Sequence, residues 1–307
     1  MPTRRRALTS LTCAFALCGA LLAPLPAGAG APLKVVATFS ILGDFVKNVG
    51  GDRIEITTLV GPDGDAHVFS PTPADGRRIA DAKLVVFNGL RFDGWITRLI
   101  RSSGTKAAVV EAAKGVRALE GLPEQAHGHA QPDLDPHGWQ SVANAKVYVA
   151  NIRDGLVAAD PAGKAAYEAN AAAYLARLDA LDAEVRAAIA GIPPERRRII
   201  TSHDSFGYFA RAYGLAFIAP QGVSTDAEAS ARDVARIIRQ IRREKIGAVF
   251  LENIADTRLI ERIAVETGAR IGERLYSDAL SPPNGPAATY IDMMRHNIRA
   301  FSAALSS

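Results

Sequence analysis

The chain has 307 residues, with 36 Lys and Arg against 32 Asp and Glu, for a formal net charge of +4. Three of those positive charges are Arg4, Arg5 and Arg6, and no Asp or Glu lies before residue 30, so the remainder carries only +1. This near-balance, with no long basic run and few aromatic residues, excludes a nucleic-acid-binding protein, and the length suits two domains of ordinary size better than one small core.

The chain opens as an export leader. Arg4–Arg6 precede an apolar run from Ala7 to about Leu25, and Ala27-Gly28-Ala29 follows. A basic start, an apolar middle and an A-x-A end are the three parts of a secretory signal peptide, and cleavage is expected after Ala29. A membrane anchor competes with this reading, but the run is short for a span and is broken by Thr9, Ser10, Thr12 and Pro24. Cys18 raises a lipoprotein, although Leu17 stands where a small residue is wanted. The arginines raise twin-arginine export on a weak signal. The expectation is a soluble periplasmic protein. Both cysteines, Cys13 and Cys18, fall in the leader. The mature chain then has neither disulfide nor thiolate, and any metal site must be built from His, Asp, Glu and backbone.

Strand and helix patterns alternate next. Lys34–Phe39 reads as a strand, Ile41–Val49 as a helix and the β-branched run Ile54–Val60 as a strand. Pro73–Ala82 reads as a helix, Leu84–Asn88 as a buried strand, Trp95–Arg101 as a helix and Val109–Ala112 as a weak strand. Residues 118–138, rich in Gly and Pro, read as a loop. Gln140–Ala159 is helical. Ala162–Ala190 is an Ala-rich helix with Tyr167, Tyr174, Leu178, Leu181 and Val185 on one side, opened by Pro161 and closed by Gly191. The alternation then restarts. Strands are expected at Arg198–Ser202, Leu215–Pro220, Ala248–Glu252 and Ala269–Tyr276. Helices are expected at Phe206–Tyr213, Ala231–Glu244, Asp256–Thr267 (capped by Asp256) and Thr289–Leu305. The predicted fold is α/β: two similar α/β lobes with mainly parallel sheets, joined by one long helix. The expected divisions are a signal peptide over 1–29, an N-terminal lobe over 30–160, a linking helix over 161–192 and a C-terminal lobe over 193–307.

The six histidines are His67, His127, His129, His137, His203 and His296. His67 follows the strand ending at Val60, His203 follows the strand ending at Ser202, and Asp278 lies just past the strand ending at Tyr276. His137 closes the Gly/Pro-rich loop. In open α/β sheets ligands bind beyond the carboxyl ends of strands. Three imidazoles and one carboxylate can fill a tetrahedral shell around zinc. Each residue alone has an ordinary alternative. A histidine near a strand end is commonly a satisfied polar group, Asp278 could cap a turn, and no close H-x-x-x-H pair exists.

Several segments resemble the cluster A-I (ZnuA/TroA-type) solute-binding proteins, the zinc- and manganese-binding receptors of ABC importers. They are Val35–Ile41, Gly64–Pro73 (GDAHVFSPTP), Phe87–Leu90, Asp135–Trp139 (DPHGW), Thr201–Phe209 (TSHDSFGYF) and Tyr276–Asp278, in the expected order over nearly all of the mature chain. The resemblance implies two lobes joined by a long helix, with the metal in the cleft between them. It implies His67 and His137 as ligands from the first lobe, and His203 and Asp278 as ligands from the second.

Histidine at position 203, where manganese-selective relatives look like they carry a carboxylate, leans toward Zn2+. Mn2+ or iron stays open. His127 and His129 stand where zinc members often carry a His-rich loop. They form either an auxiliary capture pair or part of a solvated loop. Glu252 could orient a ligating histidine or cap a helix. Trp139 is expected to pack the cleft wall, His296 to be structural, and the arginines around Arg232–Arg243 to form a solvated face.

The function implied is a periplasmic binding protein that delivers metal to an ABC-transporter permease. The alternatives are a zinc chaperone exchanging metal with another periplasmic protein, a manganese receptor or a surface adhesin. A zinc hydrolase is disfavoured, since four ligands close the shell and neither an H-E-x-x-H helix nor a G-x-S-x-G elbow is present. A monomer is expected.

Overall fold

The first strand, β1 (Leu33–Phe39), is buried over its last five residues. A run apolar on both faces belongs in the middle of a parallel sheet covered on both sides. A computed structural model of the chain, describing residues 31–120 and 134–306, places it there. β1 lies between β2 (Ile54–Val60) and β3 (Leu84–Phe87), and β4 (Ala108–Glu111) lies outside β3, all parallel. The helices of this lobe are α1 (Ser40–Gly50), α2 (Pro73–Asp81), α3 (Ile96–Ser103) and α4 (Val142–Ala159). Helix α2 starts on a capping box, in which Thr72 and Asp75 satisfy each other's backbone N–H, with Pro73 in the first turn.

The second sheet repeats this order. β7 (Arg198–Ile200) lies between β8 (Ala216–Ile218) and β9 (Ala248–Val249), and β10 (Arg270–Ile271) lies outside β9. Each sheet therefore has its first strand between its second and third. The strand order reverses beside that first strand, which is where an α/β sheet opens a binding crevice. The surrounding helices are α6 (Gly207–Tyr213), α7 (Ala231–Glu244), α8 (Thr257–Thr267) and α9 (Tyr290–Leu305). Asp256 caps α8, as its sequence position predicts.

Helix α5 (Lys164–Ala190) has 27 residues, about 40 Å at 1.5 Å per residue. It buries Tyr167, Ala171, Tyr174, Leu178, Leu181, Val185 and Ile189, a single stripe at helical spacing. That stripe packs on α1 and α4 and on α6 and α9, so one rigid element backs both sheets. One apolar core runs from the first sheet past α5 to Phe206, Phe209 and Phe301, and a smaller one joins Ile200 and Val249 to the inner faces of α7 and α8.

The main departure from the sequence reading is in 118–138. Leu119–Glu120 (β5) pairs antiparallel with Leu134–Asp135 (β6). The Tyr208 hydroxyl pins the pair, accepting from the Leu119 N–H and donating to the Asp135 carbonyl. Two-residue strands carry no periodicity, so only this tertiary contact reveals them. The second-sheet strands are also shorter than expected. Glu252 and Leu275 continue the pairing as an isolated bridge instead of extending β9 and β10. Among the described residues, no helix is long and apolar enough to cross a membrane. Residues 1–30, with the expected leader, and residues 121–133, with His127 and His129, lie outside the described residues.

Candidate metal centre

His67, His137 and His203 are each held at the backbone by a carboxylate. His67 and His137 follow the same pattern, Asp-x-His. Asp65 Oδ1 accepts from the His67 N–H at 2.9 Å, and Asp135 Oδ1 accepts from the His137 N–H at 2.9 Å. Aspartates favour this turn two residues ahead of the N–H they bind. His203 is held across the second sheet instead. Glu252 Oε1 accepts from the N–H groups of Ser202 and His203 at 2.7 and 3.0 Å. Asp278 is fixed through its neighbour, because the Ser277 carbonyl accepts from Trp139 Nε1 at 2.9 Å and Gln140 Nε2 at 2.8 Å. Those two donors lie two and three residues after His137, so their side chains tie the segment of one ligand to the backbone beside another.

These devices bring His67, His137, His203 and Asp278 together, with one donor atom from each lying within 4.8 Å of all the others. Asp278 Oδ2 is 3.1 Å from His67 Nε2 and 3.0 Å from His203 Nε2. Asp278 Oδ1 is 3.5 Å from His137 Nε2, and the Nε2 atoms of His137 and His67 are 3.4 Å apart. Ligands about 2.1 Å from a tetrahedral zinc stand about 3.4 Å from one another. These separations match that figure. Asp278 Oδ1 is buried and accepts no hydrogen bond, and it faces the cluster 3.5 Å from His137 Nε2. A divalent cation fits both the spacing and the donor set.

Two imidazoles carry a carboxylate behind the ring as well. His137 Nδ1 meets Asp135 Oδ1 at 2.8 Å, and His203 Nδ1 stands 2.7 Å from Glu252 Oε2. Such partners fix ring orientation and leave Nε2 for the metal. Glu252, raised from sequence as a residue that could orient a ligating histidine or cap a helix, lies beside His203 at both its backbone N–H and its ring. Phe92 packs edge-on against His67, at 4.6 Å between ring centres, and Trp139 covers His137 at 5.3 Å. Trp139 is fully buried in this wall.

Electrostatics follow from this packing. Burial pushes the His137 pKa down, but the carboxylates of Asp278 and Asp135 outweigh it and hold His137 up at about 9. His203 is also penalised by burial, yet Glu252 and Asp278 hold it well above the ordinary histidine value. For His67 burial prevails over Asp278, and its pKa falls. Burial works against ionised Asp278, and the charges of His137 and His203 overcome it, driving its pKa well below the carboxylate range. Without a metal, protons on two imidazoles balance the buried carboxylates. A dication does the same from the centre.

His296 lies apart from the cluster's donors, buried in α9 with Nε2 2.8 Å from the Arg274 carbonyl, a structural tie. Arg232, Arg239, Arg242 and Arg243 of α7 are exposed, as expected of a solvated face. The residues not singled out beforehand are Asp65 and Asp135. The repeated Asp-x-His was the available signal.

Two parallel sheets backed by one long helix, with a buried three-imidazole, one-carboxylate cluster between them, define a bilobal cation-binding protein. Comparison with known proteins agrees. A family model described as "Zinc-uptake complex component A periplasmic" matches residues 35–304. The manganese-binding lipoprotein MntA of Halalkalibacterium halodurans is 34% identical over 277 residues, covering 90% of each chain. The iron-binding protein YfeA of Yersinia pestis is 33% identical over 274 residues, covering 89% of this chain and 86% of its own. The solved structure of the periplasmic zinc-binding protein TroA from Treponema pallidum superposes with a TM-score of 0.82 at 31% identity, covering 90% of this chain and 99% of that one. The chain belongs to this family of periplasmic, divalent-metal-binding substrate-binding proteins of ABC importers. Such proteins work with a membrane permease and its ATPase, and are not enzymes.

Proposed function

We propose that His67, His137, His203 and Asp278 hold one divalent metal ion as cargo, that zinc is the preferred ion, and that the chain presents it to an importer permease. The observation that carries this reading is the convergence of four donors from four separate segments to within 4.8 Å of one another, a spacing that one ion can bridge. Three imidazoles favour a borderline-soft ion such as Zn2+ over oxygen-preferring Mn2+. The cargo leaves unchanged, so the site needs closure and release, not an open position for a reacting water.

One observation favours a second reading. Both oxygens of Asp278 face the cluster, so the carboxylate can bind through two atoms and raise the coordination number. That arrangement suits Mn2+ or Fe2+ better than tetrahedral zinc, and MntA and YfeA are named for those metals. Elemental analysis of the purified protein, followed by competition titration with Zn2+ and Mn2+, decides between them. Preference for zinc supports the first reading, and preference for manganese replaces it with the second. Failure to bind either ion would falsify both.

A further inference from the structure

The loop carrying His67 is tied to the second lobe at two points. Its tip is the turn Gly61–Gly64, closed by the Gly64 N–H on the Gly61 carbonyl, with Pro62 second and Asp63 third at φ 53°. Positive φ at that position marks a type II turn, which Pro in second place favours. The Asp63 N–H donates to the Leu280 carbonyl at 2.9 Å, and Asp63 Oδ1 accepts from Asn253 Nδ2 at 2.9 Å.

The second tie is nearer the ligand. Asp65 holds the His67 N–H with Oδ1 and accepts from the Thr225 hydroxyl with Oδ2 at 2.6 Å. Thr225 belongs to a strap that starts beside His203. Gln221 pairs with His203, and the Asp204 N–H donates to the Gly222 carbonyl. Gln221 Nε2 also reaches the Ala227 carbonyl, folding the strap on itself. Backbone pairing at Gln221 and the short stretch from Gln221 to Thr225 thus lead from the ligand His203 to Thr225, and one carboxylate leads from Thr225 to the ligand His67. Of the four ligands His67 is the least buried, and it is the one the strap reaches through Asp65.

We propose that Asp65 is a positioning residue that couples His67 to closure of the second lobe, and that its bond to Thr225 limits how fast metal leaves. The proposal rests on the reading of the four-residue cluster as the metal centre. Asp65 touches no metal. It sets the His67 backbone with one oxygen, and the other is engaged only when the strap lies across the cleft. Breaking the bond removes the tie nearest His67 and leaves its loop held to the second lobe only at Asp63, while His137, His203 and Asp278 keep their own supports.

The test measures Zn2+ release into excess chelator by stopped flow, and metal-free melting, for the wild type, Thr225→Val, Thr225→Ser, Asp65→Ala and the Asp65→Ala/Thr225→Val double variant. Thr225→Val is expected to speed release about tenfold, the size of one hydrogen bond to a charged group. Metal-free melting should stay unchanged, and Thr225→Ser should restore slow release. Asp65→Ala should speed release at least as much, and Thr225→Val should add nothing on top of it, because the two act through one bond. Wild-type release from Thr225→Val, additive effects, or a metal-free chain destabilised as much as the loaded one overturns the proposal. His203→Ala separates the two layers. If the wild type loads Zn2+ and His203→Ala does not, the centre stands and the Thr225 variants judge the clasp alone. A wild type that loads no metal overturns both.

Discussion

Glu252 grips His203 at both ends: Oε1 accepts the histidine's backbone N–H at 3.0 Å, and Oε2 lies 2.7 Å from its ring Nδ1. One buried carboxylate therefore sets both the position of the residue and the direction of its Nε2. Burial alone would raise the Glu252 pKa, but the His203 charge overcomes this and keeps it low, so the grip is ionic. Glu252→Gln keeps the shape and removes the charge. It should weaken metal affinity about 10–100-fold, the usual loss when an outer partner of a ligating histidine is changed. Competition titration reads this directly, and an affinity within twofold of wild type would show that the grip is dispensable.

Loss of a ligand should cost more. His203→Ala and Asp278→Ala should each lower affinity by more than the roughly hundredfold ceiling for outer partners, while far-ultraviolet circular dichroism remains that of the wild type. Both residues lie beyond strand ends, so neither β7 nor β10 depends on them. Binding that survives either change would place the ion elsewhere.

Metal uptake should depend on pH in an unusual range. Bound imidazoles must be unprotonated, yet His137 holds its proton up to about pH 9 in the metal-free protein, and His203 is raised as well. Apparent affinity should therefore climb between pH 6 and 9, by about tenfold per pH unit for each proton displaced. Calorimetry in buffers of different ionisation heat should detect proton release. A flat profile over that window counts against the site.

Stability of the metal-free chain should move the other way. His137 and His203 have folded pKa values above the roughly 6.5 of an unfolded histidine. Their contribution is thus complete below about pH 6.5 and is lost as pH rises, that of His137 through about 9. Asp278, depressed in the folded state, withdraws its contribution only in acid, as pH falls below the unfolded carboxylate value. Melting of metal-free protein should drop from pH 6.5 to 9. Zn2+ at a hundred times its Kd should add about 2.7 kcal/mol, and a chelator should reverse that gain.

Thr72 offers a control remote from the metal chemistry. Thr72→Ala removes the capping box of α2 and should cost about 1 kcal/mol. Denaturant melting should register it, with metal affinity unchanged.

Much of this was legible in the chain because the signals are local. Ile54–Val60 and Ala231–Glu244 fall where their periodicities end, since alternation and a 3.6-residue stripe are properties of consecutive residues. The ligands stood out because chemistry-bearing side chains past strand ends are scarce, and the chain has only six histidines. The β5–β6 pair was not legible, because it is made by Tyr208, more than 70 residues from either strand's partner atom. For His203 the sequence raised Glu252 but left open whether it orients a histidine or caps a helix, because the two lie 49 residues apart.

The sequence by itself determined two runs of alternating strands and helices, a long helix between them and four metal-type donors at element ends, because these depend on spacing along one chain. The tertiary structure alone decided that the four donors come within 4.8 Å of one another. It also decided which carboxylate backs each histidine and that Thr225 reaches Asp65. Those relationships depend on how two sheets pack against α5, and packing is a sum over distant contacts that no local pattern contains.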